Sequence, residues 1–101
     1  MQAWNTAILV FDGVEVLDFA GPFEVFSRAR TEPGCESRRT EATAPFRVFT
    51  VATGGRDVVS TGGLRVTADF TCEDCPRVDL LVVPGGFGTR RLVDQDRKSV
   101  V

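Results

Sequence analysis

Three short segments of this 101-residue chain hold side chains or backbone groups suited to chemistry. The first is Asp18, where an apolar run passes through Asp12-Gly13 and Val14-Glu15 into a segment of helical spacing. A carboxylate at such a junction lies at the carboxyl edge of a parallel sheet, where open α/β sheets bind ligands. Local sequence alone favours a simpler role, capping the first helical N–H groups and complementing the helix dipole. Glu15 is less well placed and reads as a solvated loop charge. The second segment is Pro84-Gly85-Gly86-Phe87-Gly88, whose glycines can bring bare N–H groups up to an oxyanion or simply turn the chain through positive φ angles. The third is Cys72-Glu73-Asp74-Cys75, a CxxC spacing that suits a redox pair or half of a zinc site but also arises by coincidence in a loop.

Composition narrows the chemistry further. The chain has no histidine and no tyrosine, which removes Ser-His and Cys-His relays, His metal ligands and Tyr acids from within it. No second CxxC or His pair completes a metal site, and neither GxxxxGK[ST] nor GxGxxG is present, so no metal and no cofactor is expected. Twelve basic against 14 acidic residues give a net charge of −2, with a pI near 5.0. That balance lacks the basic field by which a chain binds nucleic acid or anionic lipid. The apolar runs are far shorter than the roughly 18 residues of a membrane span. The start, Met1-Gln2-Ala3-Trp4, has no basic n-region, so a cytoplasmic location is expected. Cys35, Cys72 and Cys75 are an odd number at no framework spacing, which fits thiols in a reducing compartment.

The elements that must position these groups are legible in outline. Thr6–Phe11 is a continuous apolar run, as in a strand buried on both faces of a parallel sheet. Phe19, Phe23, Phe26 and Arg30 recur at helical spacing, and Pro22 suits a first helical turn, which predicts a helix from about Asp18 or Ala20 to Ala29. Thr31 to Ala44 is polar and aperiodic, so residues 31–45 read as a loop or insertion. Phe46–Ala52 predicts a second strand, and Asp57–Ser60 with Leu64–Thr67 a short hairpin about Gly62-Gly63. Val78–Pro84 predicts a further buried strand, running into the glycine turn and the start of another helix at Thr89–Val93. This order argues for an α/β fold with a mostly parallel sheet, within one small domain.

Taken together, Ile8–Phe26, Gly63-Leu64-x-Val66 and Cys75–Arg91, with LDFAGPFEVF and VVPGGFGTRRL as their most specific parts, resemble the ThiJ/PfpI superfamily of class I glutamine-amidotransferase-like proteins. Within it the chain is most similar to isonitrile hydratases and to the sensor domains of some transcription regulators. The resemblance implies a flavodoxin-like three-layer sandwich, of which residues 1–101 form the N-terminal part of a single domain. It implies that Asp18 is the acidic catalytic residue, that Gly85 and Gly86 form the backbone turn facing the nucleophile, and that the substrate is a small molecule. It also allows a homodimer. The cysteine elbow expected in this family is matched by none of Cys35, Cys72 or Cys75, and the polar tail Asp94–Val101 leads us to expect a truncated reading frame, a frameshift or an incomplete gene model. Three functions follow as expectations. The chain is part of a hydratase (a lyase) that turns an isonitrile into an N-substituted formamide, or a ligand-sensing domain of a transcription regulator, or an inactive truncated relative.

Overall fold

The computed structural model describes residues 3–31 and 44–85. Its elements are β1 (Trp4–Val10), α1 (Val16–Arg28), β2 (Phe46–Ala52), β3 (Asp57–Val59), β4 (Arg65–Thr67), β5 (Phe70–Thr71) and β6 (Leu80–Val82). Four strands form one parallel sheet in the order β5-β2-β1-β6, and β3 and β4 pair separately as an antiparallel hairpin. The chain leaves β1 toward β2 on one side and returns to β1's other side through β6. That reversal makes the carboxyl ends of β1 and β6 the switch point, where the loops diverge and leave a crevice.

Strand alternation sorts the side chains onto two faces. Ile8 and Val10 of β1 join Ala52, Phe19 of α1 and Val58 of the hairpin in one buried cluster, while Ala7, Phe49 and Val51 form a second against Phe70 and Cys75. Each fully buried aliphatic side chain such as Ile8 contributes about 1.5–3 kcal/mol relative to exposure. Phe49 meets Phe70 edge-on at 5.3 Å, which ties the two-residue β5 to β2. The helix rests on β2 partly through Phe26, whose ring stands edge-on to Phe46 at 4.8 Å.

Several expectations need correction. The helix begins at Val16, so Pro22 stands at its seventh position and not in its first turn. The ring removes the N–H that would bond the Asp18 carbonyl, a loss of about 3 kcal/mol in a buried helix interior. Here Asp18 is exposed, so water can serve that carbonyl, and Gly21 has no Cβ to clash with the proline ring. The strand expected over Val78–Pro84 narrows to Leu80–Val82, and Leu80 and Leu81 are exposed because the far side of β6 has no neighbour among the described residues. The strand β5 was not foreseen. The predicted loop over 31–45 and the helix start after Gly88 lie largely or wholly outside the described residues.

The hairpin is pinned to the connection between β1 and α1. Gly13 N–H donates to the Val59 carbonyl at 2.8 Å, and Val59 N–H returns to Asp12 Oδ1 at 2.9 Å. Thr61 N–H donates to the Val14 carbonyl at 2.9 Å, and its hydroxyl to the Gly13 carbonyl at 2.8 Å. Gly13 holds φ 85°, a left-handed conformation that a side chain adopts only under strain, so the turn leading toward Asp18 depends on it. Gly62 and Gly63, at φ 91° and 96°, make the hairpin turn as expected.

Candidate functional site at the sheet switch point

Asp18 is the third residue of α1, in its first turn, and Gly85 follows β6 by three residues. The structure brings these two positions, 67 residues apart in sequence, into direct contact. Gly85 N–H donates to Asp18 Oδ2 at 3.3 Å, and the Gly85 carbonyl accepts the Glu15 N–H at 3.1 Å. Both backbone groups of Gly85 are therefore spent on the first turn of α1. The Asp18 carboxylate binds this opposing turn, whereas the local expectation was a cap on its own helix. The residue at the N-cap position, Glu15, makes no side-chain cap bond either.

The glycine at position 85 has a steric reason. Among the described residues only Gly13, Gly62 and Gly63 have positive φ, so Gly85 does not need left-handed freedom. A Cβ built on Gly85 would lie 3.0 Å from Asp18 Oδ2 and, among the described residues, would meet no other heavy atom within 4 Å. The missing side chain is the room in which the carboxylate sits. Asp18 remains exposed, and its neighbour in sequence, Leu17, is 81% exposed. Gly86, the second expected residue of the turn, lies outside the described residues.

The described cysteines stand elsewhere. Cys72 directly follows β5, on the edge strand opposite β6, roughly 14 Å across three strand spacings. Burial first, then the like charges of Cys75 and Glu73, push the Cys72 thiol above its ordinary pKa, the reverse of an activated nucleophile. Cys35 lies outside the described residues. Among the described residues no group of three or more His, Cys, Asp or Glu side chains is arranged to hold a metal ion, and no helix is long and apolar enough to cross a membrane. An open hollow of about 260 Å³ lined by Ala3, Trp4, Arg77 and Asp79 lies at the amino end of β1, away from Asp18.

Sequence reasoning missed the acidic side chains that hold the frame of this site. Asp79 Oδ2 accepts the Asn5 N–H at 2.8 Å, and Asp79 N–H donates to the Asn5 carbonyl at 2.9 Å, aligning the start of β6 with β1. Asp69 Oδ2 accepts from Thr50 N–H at 3.0 Å while Asp69 N–H donates to the Thr50 hydroxyl at 2.9 Å. Acidic residues flanking apolar strands were the available signal, but their partners are distant in sequence.

A family model for the DJ-1/PfpI family matches residues 5–100. The chain belongs to the DJ-1/PfpI family. It is 38% identical over 82 residues to an uncharacterized Streptomyces lividans protein, covering 81% of this chain and 51% of that one. It is 28% identical over 96 residues to the isonitrile hydratase of Pseudomonas putida, covering 95% of this chain and 36% of the enzyme. An HTH-type transcriptional regulator of Pseudomonas aeruginosa is 27% identical over 92 residues, 91% of this chain and 23% of the regulator. Among solved structures, a ThiJ/PfpI family protein from Pseudomonas syringae superposes with a TM-score of 0.69 at 27% identity, over 93% of this chain and 34% of that one. The chain thus spans about half or less of these relatives, and its parallel sheet with α1 is the corresponding part of a flavodoxin-like DJ-1/PfpI fold.

Proposed function

We propose that this chain is the N-terminal portion of a single DJ-1/PfpI domain that hydrates an isonitrile to an N-substituted formamide. The observation that carries the reading is the Asp18 carboxylate, exposed at the switch point and oriented by the Gly85 N–H. Likeness to the Pseudomonas putida isonitrile hydratase supports the choice of substrate class.

The reaction needs a thiolate, supplied by a cysteine outside these 101 residues. Its sulfur adds to the terminal isonitrile carbon, and that carbon takes a proton from the Asp18 carboxyl group to give a thioimidate. Water then adds to the same carbon, one of its protons returning to Asp18 and the other passing from the new hydroxyl to the imine nitrogen. Breaking the C–S bond releases the formamide and restores the thiolate. Gly85 holds Oδ2, which keeps the carboxyl group facing the crevice through both proton transfers. Of the turn expected to face the nucleophile, Gly85 positions Asp18 through its N–H, and the Gly86 N–H is the backbone group assigned to stabilise charge on the adduct. As a lyase of this kind the protein would take a small-molecule substrate, in the cytoplasm, as a homodimer, with no cofactor and no metal.

The test uses the protein as its source makes it. An intact mass near the 11.0 kDa of this sequence would leave the reaction without a nucleophile and overturn the reading. With a larger product, formamide release from an alkyl isocyanide is expected, and its absence would also overturn it. Likeness to the Pseudomonas aeruginosa regulator favours a second reading, a ligand-sensing domain without turnover. That reading predicts saturable isocyanide binding with no formamide, and DNA binding through a part of the protein outside residues 1–101.

A further inference from the structure

The CxxC motif takes no part in the site proposed above, yet the structure gives it a defined setting. Cys72 N–H donates to the Ala52 carbonyl at 3.0 Å, which fixes the start of the turn to the end of β2. Asp74 Oδ1 accepts both the N–H and the hydroxyl of Thr71, at 2.7 and 3.0 Å, and Asp74 N–H donates back to the Thr71 carbonyl at 3.3 Å. The chain therefore reverses tightly between the two cysteines, and Cys75 Sγ lies 3.8 Å from the Cys72 carbonyl oxygen. A carbonyl oxygen stands about 2.4 Å from its own Cα, so the Cys75 sulfur is within about 6 Å of the Cys72 Cα. Rotation about the two Cα–Cβ bonds is the motion that would bring the sulfurs to the bond length of about 2 Å. Both cysteines are free thiols, Cys72 exposed and Cys75 half-buried against the cluster of Phe49, Val51 and Phe70.

We propose that Cys72 and Cys75 are a dithiol–disulfide switch, closing a four-residue ring at the carboxyl end of β5 by exchange with a small-molecule disulfide such as oxidised glutathione. The exposed Cys72 reacts first. Its thiolate attacks one sulfur of the small disulfide, that S–S bond breaks, and the departing thiolate takes up a proton. Cys75 then loses its proton and attacks the Cys72 sulfur, forming the internal S–S bond and expelling the second small thiol. The protein loses two protons and two electrons, and the small disulfide gains them. Burial and the neighbouring acidic charge hold Cys72 as a thiol, so the exchange is slow at neutral pH. The ring restrains the turn that ends β5, whose pairing is limited to Val51 with Phe70 and Ala52 with Thr71.

The experiment equilibrates the whole protein over a series of reduced to oxidised glutathione ratios, traps free thiols with N-ethylmaleimide, and reads intact mass and peptide maps. The wild type is expected to lose two alkylation sites together, with the Cys72–Cys75 peptide lighter by about 2 Da and restored by dithiothreitol. Hydrogen exchange at the Cys72 amide is expected to slow several-fold in the oxidised form. Cys75→Ser, checked for native fold by circular dichroism, is expected to collect a stable glutathione adduct on Cys72 instead. Separate adducts on both cysteines of the wild type, linkage of either to Cys35, or thiols that survive an excess of the oxidant would overturn the proposal.

Discussion

Replacing Gly85 by alanine separates a steric requirement from a conformational one. The Gly85 backbone lies outside the left-handed region, and among the described residues an added methyl meets only Asp18 Oδ2, at 3.0 Å. The carboxylate must then retreat by a few tenths of an ångström and lose its 3.3 Å bond from the Gly85 N–H. An exposed hydrogen bond of this kind contributes about 1 kcal/mol, while Gly→Ala at a compatible backbone returns about 0.4–1 kcal/mol by stiffening the unfolded chain. The two nearly cancel, so Gly85→Ala is expected to change stability by less than about 1 kcal/mol. Gly13→Ala provides the contrast, because φ 85° at that position costs a side chain about 1–2 kcal/mol. Urea denaturation of the three proteins measures both differences. Hydration of an isocyanide by Gly85→Ala should fall about tenfold or more, since displaced catalytic groups lose rate steeply. A stability loss above about 2 kcal/mol, or full retained activity, would refute the argument that Gly85 is there to admit Asp18.

Two further outcomes follow from the frame around the site. The Asn5 N–H, and then the Arg77 guanidinium, hold the Asp79 carboxyl below the ordinary carboxylate range. A depressed folded-state pKa adds stability that is present above the unfolded value near ~4 and lost as pH falls through the folded value, so acid titration should show Asp79→Asn losing less stability than wild type below about pH 4. Phe49→Ala, which empties the buried side of β2 and removes the edge-on contact with Phe70, should cost about 3–5 kcal/mol in denaturant melts.

Much of the fold was legible because its signals are local. The apolar run containing Ile8 and Val10 marked β1, the alternation in Phe46–Ala52 marked β2, and Gly62-Gly63 marked the hairpin turn. The helix start was misplaced because Pro22 is usually a first-turn residue, whereas here it stands within α1, after Gly21. The strand β5 escaped notice because two residues, Phe70 and Thr71, carry no periodicity. Asp18 and Gly85 were each visible as candidates, but their pairing was not, because it depends on β6 lying beside β1 and not beside β2. The hairpin bonds from Asp12 and Gly13 were hidden for the same reason, being contacts between segments nearly fifty residues apart. The family motifs singled out Asp18 before any geometry did, and the geometry supplies a physical reason for the glycine facing it.

The most direct measurement is the turnover of an alkyl isocyanide to its formamide by the protein as its source makes it, in wild type and in Asp18→Asn. Asparagine preserves the shape and can still accept the Gly85 N–H, but it cannot carry the proton. The account predicts an unchanged fold by circular dichroism and a kcat lower by about 10²–10⁴-fold. Turnover equal to wild type in Asp18→Asn would contradict the assignment of Asp18 as the proton-transfer residue.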